Sequence, residues 1–278
     1  MSLPFEMGFL ARAALGAVMA SLALSLLSGF VVLKRMAFAG SGIAHAAFGG
    51  VALAVVLGFS PSSPGTLVVA VAFSLGLALL VENLSRRGGL PEDSAIGIFY
   101  AASMAFGVLV LSFRRGYNVD LFSLLFGNLL AMGPGDLALL GALALVVLVG
   151  VLRYSGALMA VAFDEDLAAV AGLPVQGLNR LLLVMLTLAV ILSMKAVGLI
   201  LVSALLVLPG ATALELAWSL RSYVLLAVLF GLVSAVVGLT ASYALNLASG
   251  AAIVLVGTAI FLVVNAVRRS RRRRLPGR

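Results

Sequence analysis

A chain of 278 residues that is 63% hydrophobic and 10% charged, with a mean hydropathy of +1.25, is too apolar for a water-soluble domain and has the composition of a polytopic membrane protein. Its 18 Lys and Arg against 10 Asp and Glu give a net charge of +8, but the excess sits at the ends of apolar runs, which marks membrane topology and excludes a nucleic-acid-binding stripe. Cysteine is absent, which excludes disulfides, thiolate metal sites and thiol catalysis.

In chain order, residues 13–33 form an uncharged stretch closed by Lys34 and Arg35. About 20 apolar residues cross a bilayer core, and paired cations mark the cytoplasmic end. Residues 36–81 carry no charged side chain and are long enough for two spans, divided by the Pro- and Ser-rich turn at 60–65, and Glu82 to Arg87 returns to the cytoplasm. Residues 94–113 predict a fourth span. It ends at Arg114 and Arg115 on the outer side, against the positive-inside trend. Residues 118–130 are apolar but only about a dozen long, a length that suits a re-entrant or surface half-helix.

Residues 137–152 predict a fifth span closed by Arg153. Beyond a polar-headed stretch at 164–172 come spans at 181–194 and 196–214, separated by Lys195, with Pro209 and Gly210 bending the second. Residues 222–267 hold two more, divided around Asn246–Gly250. The fold class is therefore all-α and polytopic: about nine transmembrane helices, a short cytoplasmic helix and a half-helix. Residues 1–267 read as one membrane domain embedded in the lipid bilayer, and 268–278 as a basic cytoplasmic tail. Four spans separate the 164–172 stretch from that tail and five precede it, which places both in the cytoplasm and the N-terminus outside.

The stretch at 164–172 is the most polar-headed in the chain. Asp164 is a natural N-cap, Glu165 and Asp166 sit at the positive end of the helix dipole, and Gly172 with Pro174 supplies the stop. Leu167, Val170 and Ala171 recur at three- and four-residue spacing and would form one apolar face outside the bilayer. An ordinary capped loop helix and a docking helix both satisfy that pattern.

His45 and Lys195 are the clear ionisable candidates away from span ends, and intramembrane ionisable groups are costly to keep there. At helical spacing Ser41, His45 and Gly49 share a face on which a neutral imidazole could touch a passing cation. The alternative is a His45 that hydrogen-bonds across a helix interface crowded with small residues. Lys195 reads as a helix-end cation. One His and no Cys cannot build a four-ligand zinc site, so His45 would be a transient metal contact at most. No Gly-rich phosphate loop, Gly-x-Ser-x-Gly or His-Glu-x-x-His occurs, so the chain reads as a non-enzyme that binds no cofactor itself.

Four blocks, at 33–45 with 50–53, 119–131, 163–168 with 172–175, and 194–213, resemble the permease family of ATP-binding-cassette importers for zinc, manganese or iron. The resemblance implies a homodimer with a central pathway in the cell (inner) membrane of a bacterium or archaeon. Its partners would be two cytoplasmic ATPase subunits, which use the ATP, and an extracytoplasmic metal-binding protein. It casts Asp164, Glu165, Asp166, Leu167, Val170, Ala171 and Gly172 as the helix coupling to the ATPase, Ser41, His45 and Gly49 as pathway residues, and Asp120 and Asn128 as facing the docked binding protein. Ser41 and Asn128 each stand where the family usually has Asp. A permease of the same architecture with non-metal cargo therefore remains open. An ion-coupled secondary transporter or membrane-embedded enzyme would need titratable or nucleophilic groups at mid-membrane that this sequence hardly offers.

Overall fold

A computed structural model of the chain describes residues 3–60, 63–89, 92–113 and 132–273. Its described residues form eleven helices: α1 (Leu3–Leu33), α2 (Ala39–Val56), α3 (Pro64–Gly88), α4 (Glu92–Ser112), α5 (Pro134–Phe163), α6 (Glu165–Val170), α7 (Val175–Val197), α8 (Leu199–Leu205), α9 (Leu208–Leu216), α10 (Leu220–Leu245) and α11 (Ser249–Arg273). Among them are nine segments long and apolar enough to cross a membrane, with α8 and α9 together making the seventh. The expected all-α, multi-pass architecture is present. The expected half-helix at 118–130, with Asp120, Asn128, Arg114 and Arg115, lies outside the described residues.

The helix ends follow local chemistry. Ser63 caps α3 by accepting from the Thr66 amide, Ser219 caps α10, and Asn246 closes α10 in the left-handed region at φ 53°. Three expectations shift. The fifth span runs past Arg153 to Phe163, because one Arg ends the hydrocarbon slab without breaking a backbone hydrogen bond. Likewise α7 continues through Lys195, and the chain turns instead at Gly198, whose φ of 84° suits only glycine. The break in the seventh span falls at Leu206–Val207, ahead of Pro209. Proline in a first helical turn needs no amide partner. Gly210 next to it serves packing: its amide donates to Ser28 Oγ at 2.7 Å, and a Cβ there would stand 2.6 Å from the Ser28 carbonyl oxygen.

The long α1 runs through the core, with Leu24, Leu27 and Phe30 fully buried. It packs on α5, α7, α9 and α10, while α2 packs between α3 and α4 and also meets α7, and α11 closes against α8, α9 and α10. Span parity has a direct check in the ion pairs. Lys34 bonds Glu165 at 2.6 Å, Arg86 bonds Glu165 at 3.1 Å, and Arg268 bonds Glu215 at 2.6 Å. These residues close or follow the first, third, fifth, seventh and ninth spans, which parity requires to share one face. The basic tail begins as a continuation of α11, helical to Arg273.

Small residues let the helices close up. A Cβ on Gly238 would lie 2.4 Å from the Ile253 Cα of α11, whereas one on Gly76 would meet nothing within 4 Å. Gly238→Ala should therefore destabilise the bundle by about 1–3 kcal/mol through overpacking. Gly76→Ala should be neutral or stabilise by roughly 0.5–1 kcal/mol. Thermal unfolding of the two purified variants in detergent checks the contrast, and equal melting temperatures would contradict it.

Candidate functional site

Two features stand out, one within the span layer and one on its cytoplasmic face. The first is an open hollow of about 560 Å³ between α2 and α4, lined by Phe38, Ser41, His45, Ser94, Tyr100 and Met104 among others. Glycines create it. Gly42 takes the Tyr100 ring directly against its Cα, and Gly107 takes the Phe48 ring, so the two helices approach closely around the hollow. Ser41 and His45 are half-buried on its wall. The His45 imidazole makes no hydrogen bond among the described residues, so the alternative of a histidine bonded across a helix interface has no counterpart there. Gly49 departs from the expected face: it is buried, and a Cβ on it would lie 2.4 Å from Ser103 Oγ and 2.8 Å from the Ser103 carbonyl. It sets the α2–α4 contact and does not line the hollow.

Among the described residues no group of three His, Asp or Glu side chains gathers to hold a metal. What the hollow offers a cation is one imidazole, the hydroxyls of Ser41 and Ser94, and the side chain of Tyr100. Such a wall suits passing contact better than storage.

The second feature is α6. Asp164 is its N-cap, with Oδ1 accepting from the Leu167 amide at 2.9 Å. Its far end closes in a Schellman pattern: Gly172, at φ +80°, donates to the Ala169 carbonyl, and Leu173 donates to Ala168 at 3.0 Å. Ala168 packs inward at 3% exposure, while Leu167 and Val170 stand out at 67% and 86%. Phe163, the last residue of α5, is also 65% exposed, but the extended backbone at Asp164 separates it from the helical face of Leu167 and Val170.

Glu165 turns the other way. Its Oε1 accepts from Lys34 Nζ at 2.6 Å and Asn179 Nδ2 at 3.0 Å, and its Oε2 accepts from Arg86 Nη2 at 3.1 Å. Lys34, 9% exposed in its side chain, also donates to Asn179 Oδ1 at 2.7 Å. The predicted coupling set thus divides: Leu167, Val170 and Ala171 face outward with Asp166, Asp164 and Gly172 shape the helix, and Glu165 faces the permease body. In the sequence Lys34 and Arg86 are only topology charges, and Asn179 carries no signal of its own. No local signal joins residues 131 positions apart.

Nine apolar spans among the described residues, with a capped, apolar-faced helix on their charged face, define a multi-pass membrane protein. Its relatives agree. The model of the ABC 3 transport family matches residues 6–268, and the chain belongs to that family. It is 35% identical over 258 residues to the manganese transport system membrane protein MntC of Listeria innocua, covering 93% of this chain and 90% of that one. It is 32% identical over 263 residues to a probable iron transport system membrane protein of Haemophilus influenzae, with 95% of each covered. Among solved structures, PsaBC from Streptococcus pneumoniae in complex with Fab superposes with a TM-score of 0.80 at 32% identity, covering 95% of both chains. The chain is accordingly a multi-pass ABC permease of a metal-importer family, with a role in transport and not in catalysis.

The Glu165 cluster has a pH signature. Burial alone would raise the Glu165 carboxyl, but hydrogen bonds from Lys34 and Asn179 and the charges of Lys34 and Arg86 outweigh it and hold the group below its ordinary 4.5. A depressed carboxyl stabilises the fold above its unfolded-state value and loses that contribution as pH falls through the lower folded-state value. Glu165→Gln should therefore lower the melting temperature at neutral pH. The gap to wild type should begin to shrink as pH falls below 4.5 and go on shrinking as pH falls through the lower folded-state value. A gap unchanged across that window would show that Glu165 acts without its charge.

Proposed function

We propose that this chain is the permease of an importer for a divalent transition metal, working by alternating access as a homodimer and driven by two separate cytoplasmic ATPase subunits. The observation that carries the reading is α6: a helix capped at both ends that offers Leu167 and Val170 to the cytoplasm. An exposed apolar stripe on a firmly capped helix is what a groove on a partner would grip. The chain itself binds no cofactor in this reading, and ATP is spent by the partner. An extracytoplasmic metal-binding protein delivers the ion, with Asp120 and Asn128 as its contacts on this chain.

The cargo class rests on the relatives, one named for manganese and one for iron. Ser41 and His45 are the pathway contacts. A single imidazole with a hydroxyl one turn away holds an ion loosely enough for it to leave, and selectivity then resides in the delivery protein. Homodimerisation finds support on α4, where Gly97, Ala101 and Ala105 recur every four residues on an exposed face beside the hollow.

Proteoliposomes holding the chain with its ATPase and binding protein should show ATP-dependent uptake of manganese, ferrous iron or zinc. His45→Ala should slow uptake by about tenfold, as expected if the imidazole contributes roughly 1.4 kcal/mol at the cation's barrier. Unchanged uptake in the variant would make His45 structural. Uptake of none of the three metals, in a complex that still hydrolyses ATP, would point to a non-metal cargo.

A further inference from the structure

The contacts of α6 are uneven in kind. Its backbone packs on α5 and α7, the two helices it joins in sequence. Its Glu165 side chain reaches further, dividing its two carboxylate oxygens between the turn after α1 and the end of α3: Oε1 takes Lys34 at 2.6 Å and Oε2 takes Arg86 at 3.1 Å. Arg86 is held in turn by Glu82, one helical turn earlier, at 3.6 Å, and Glu82 also faces Arg180 of α7 at 3.9 Å. Asn179 of α7 bridges Lys34 and Glu165 with both ends of its amide.

Lys34 is the informative member. It sits in the turn between α1 and α2, and that turn is tight: Lys34 donates to Phe30, Met36 donates to Val31 at 2.9 Å, and Arg35 takes the left-handed region at φ 58°. Two residues after Met36, the Phe38 carbonyl accepts from Gly42 at 2.8 Å and α2 is under way. A nearly buried ammonium with two acceptors does not slip from them readily, because leaving strands a charge. A hydrogen-bonded turn transmits displacement that a slack loop would absorb. Ser41 and His45 lie within the first two turns of the helix that starts there.

We propose that Glu165 is the positioning residue that joins the docking helix to the pathway helix: through Lys34 it makes α6 and the α1–α2 turn move as one body. The proposal rests on the docking role proposed for α6 above, and deepens it by dividing the helix into an outer face that meets the ATPase and one inward carboxylate that passes the motion on. Within this division Leu167 and Val170 set how firmly the ATPase is held. Glu165 sets how much of its motion reaches α2.

The test uses the assembled complex of this chain with its ATPase and binding protein, comparing wild type, Glu165→Ala and Glu165→Gln. The readout is metal imported per ATP hydrolysed. Glu165→Ala should keep the ATPase subunits bound and hydrolysing while the import ratio falls severalfold. Glu165→Gln, which preserves the acceptor for Lys34 but not the charge, should fall between the two. A merely structural residue would lower import and hydrolysis together, so an unchanged ratio overturns the proposal. Loss of the ATPase subunits from Glu165→Ala also overturns it, since the carboxylate would then belong to the docking face.

A second readout needs no transport. The chain has no cysteine, so spin labels can be placed at two exposed positions by Ala37→Cys in the turn and Ala169→Cys on α6. Their separation should be the same with and without nucleotide when Glu165 is present, and should change with nucleotide in Glu165→Ala. Identical behaviour in both backgrounds rejects the joint. If the wild-type complex imports no metal, the functional reading fails, and the label distances still decide the joint by themselves.

Discussion

Hydrocarbon does not solvate an ion, and most of this molecule follows from that constraint. The spans are almost free of formal charge, so the carboxylates and cations of the described residues collect at helix ends, where they can meet one another. Because the first, third, fifth, seventh and ninth spans end on the same face, Lys34, Arg86, Glu165, Glu215 and Arg268 are brought within reach despite lying far apart in the chain. The charge pattern that fixes orientation therefore also builds the contacts that hold the span ends together. Topology and mechanics share the same few residues.

Within the slab, apolar burial gives helices little reason to choose one another, because lipid tails are as apolar as leucine. Close packing at small residues takes over. Gly42, Gly49 and Gly107 bring α2 and α4 together, Gly210 brings α9 against Ser28, and Gly238 brings α10 against α11. The hollow beside α2 borders that close contact, where the Tyr100 ring occupies the space a Cβ on Gly42 would need. Ser41 and His45 line its wall.

What could be read from residue order is whatever physics makes local. The nine spans were legible because crossing a bilayer demands a long uncharged run, and α6 was legible because Asp164 and Gly172 are capping chemistry at fixed offsets. Charge was a poorer guide to where helices stop: Arg153 and Lys195 interrupt hydrophobicity without interrupting backbone hydrogen bonds, and the actual breaks fall at Asp164 and Gly198. The inward turn of Glu165 was not legible at all. Its partners lie on two other helices and in the α1–α2 turn, and the dipole argument that favours an acid in a first turn is indifferent to which way its side chain points. Gly49 is a similar case, since helical spacing placed it on the face of His45 while the packing of Ser103 decides its environment.

The central claim is that the hollow between α2 and α4 opens to alternate sides of the membrane as nucleotide drives α6. Substituted-cysteine accessibility tests it most directly, because the chain carries no cysteine to confuse the signal. With Ser41→Cys in proteoliposomes containing the ATPase, a membrane-impermeant thiol reagent should label the site from one side without ATP, and that labelling should be lost or transferred to the other side when ATP is bound. Absence of labelling from either side in both states would mean that the hollow faces lipid or protein throughout, and would contradict the account.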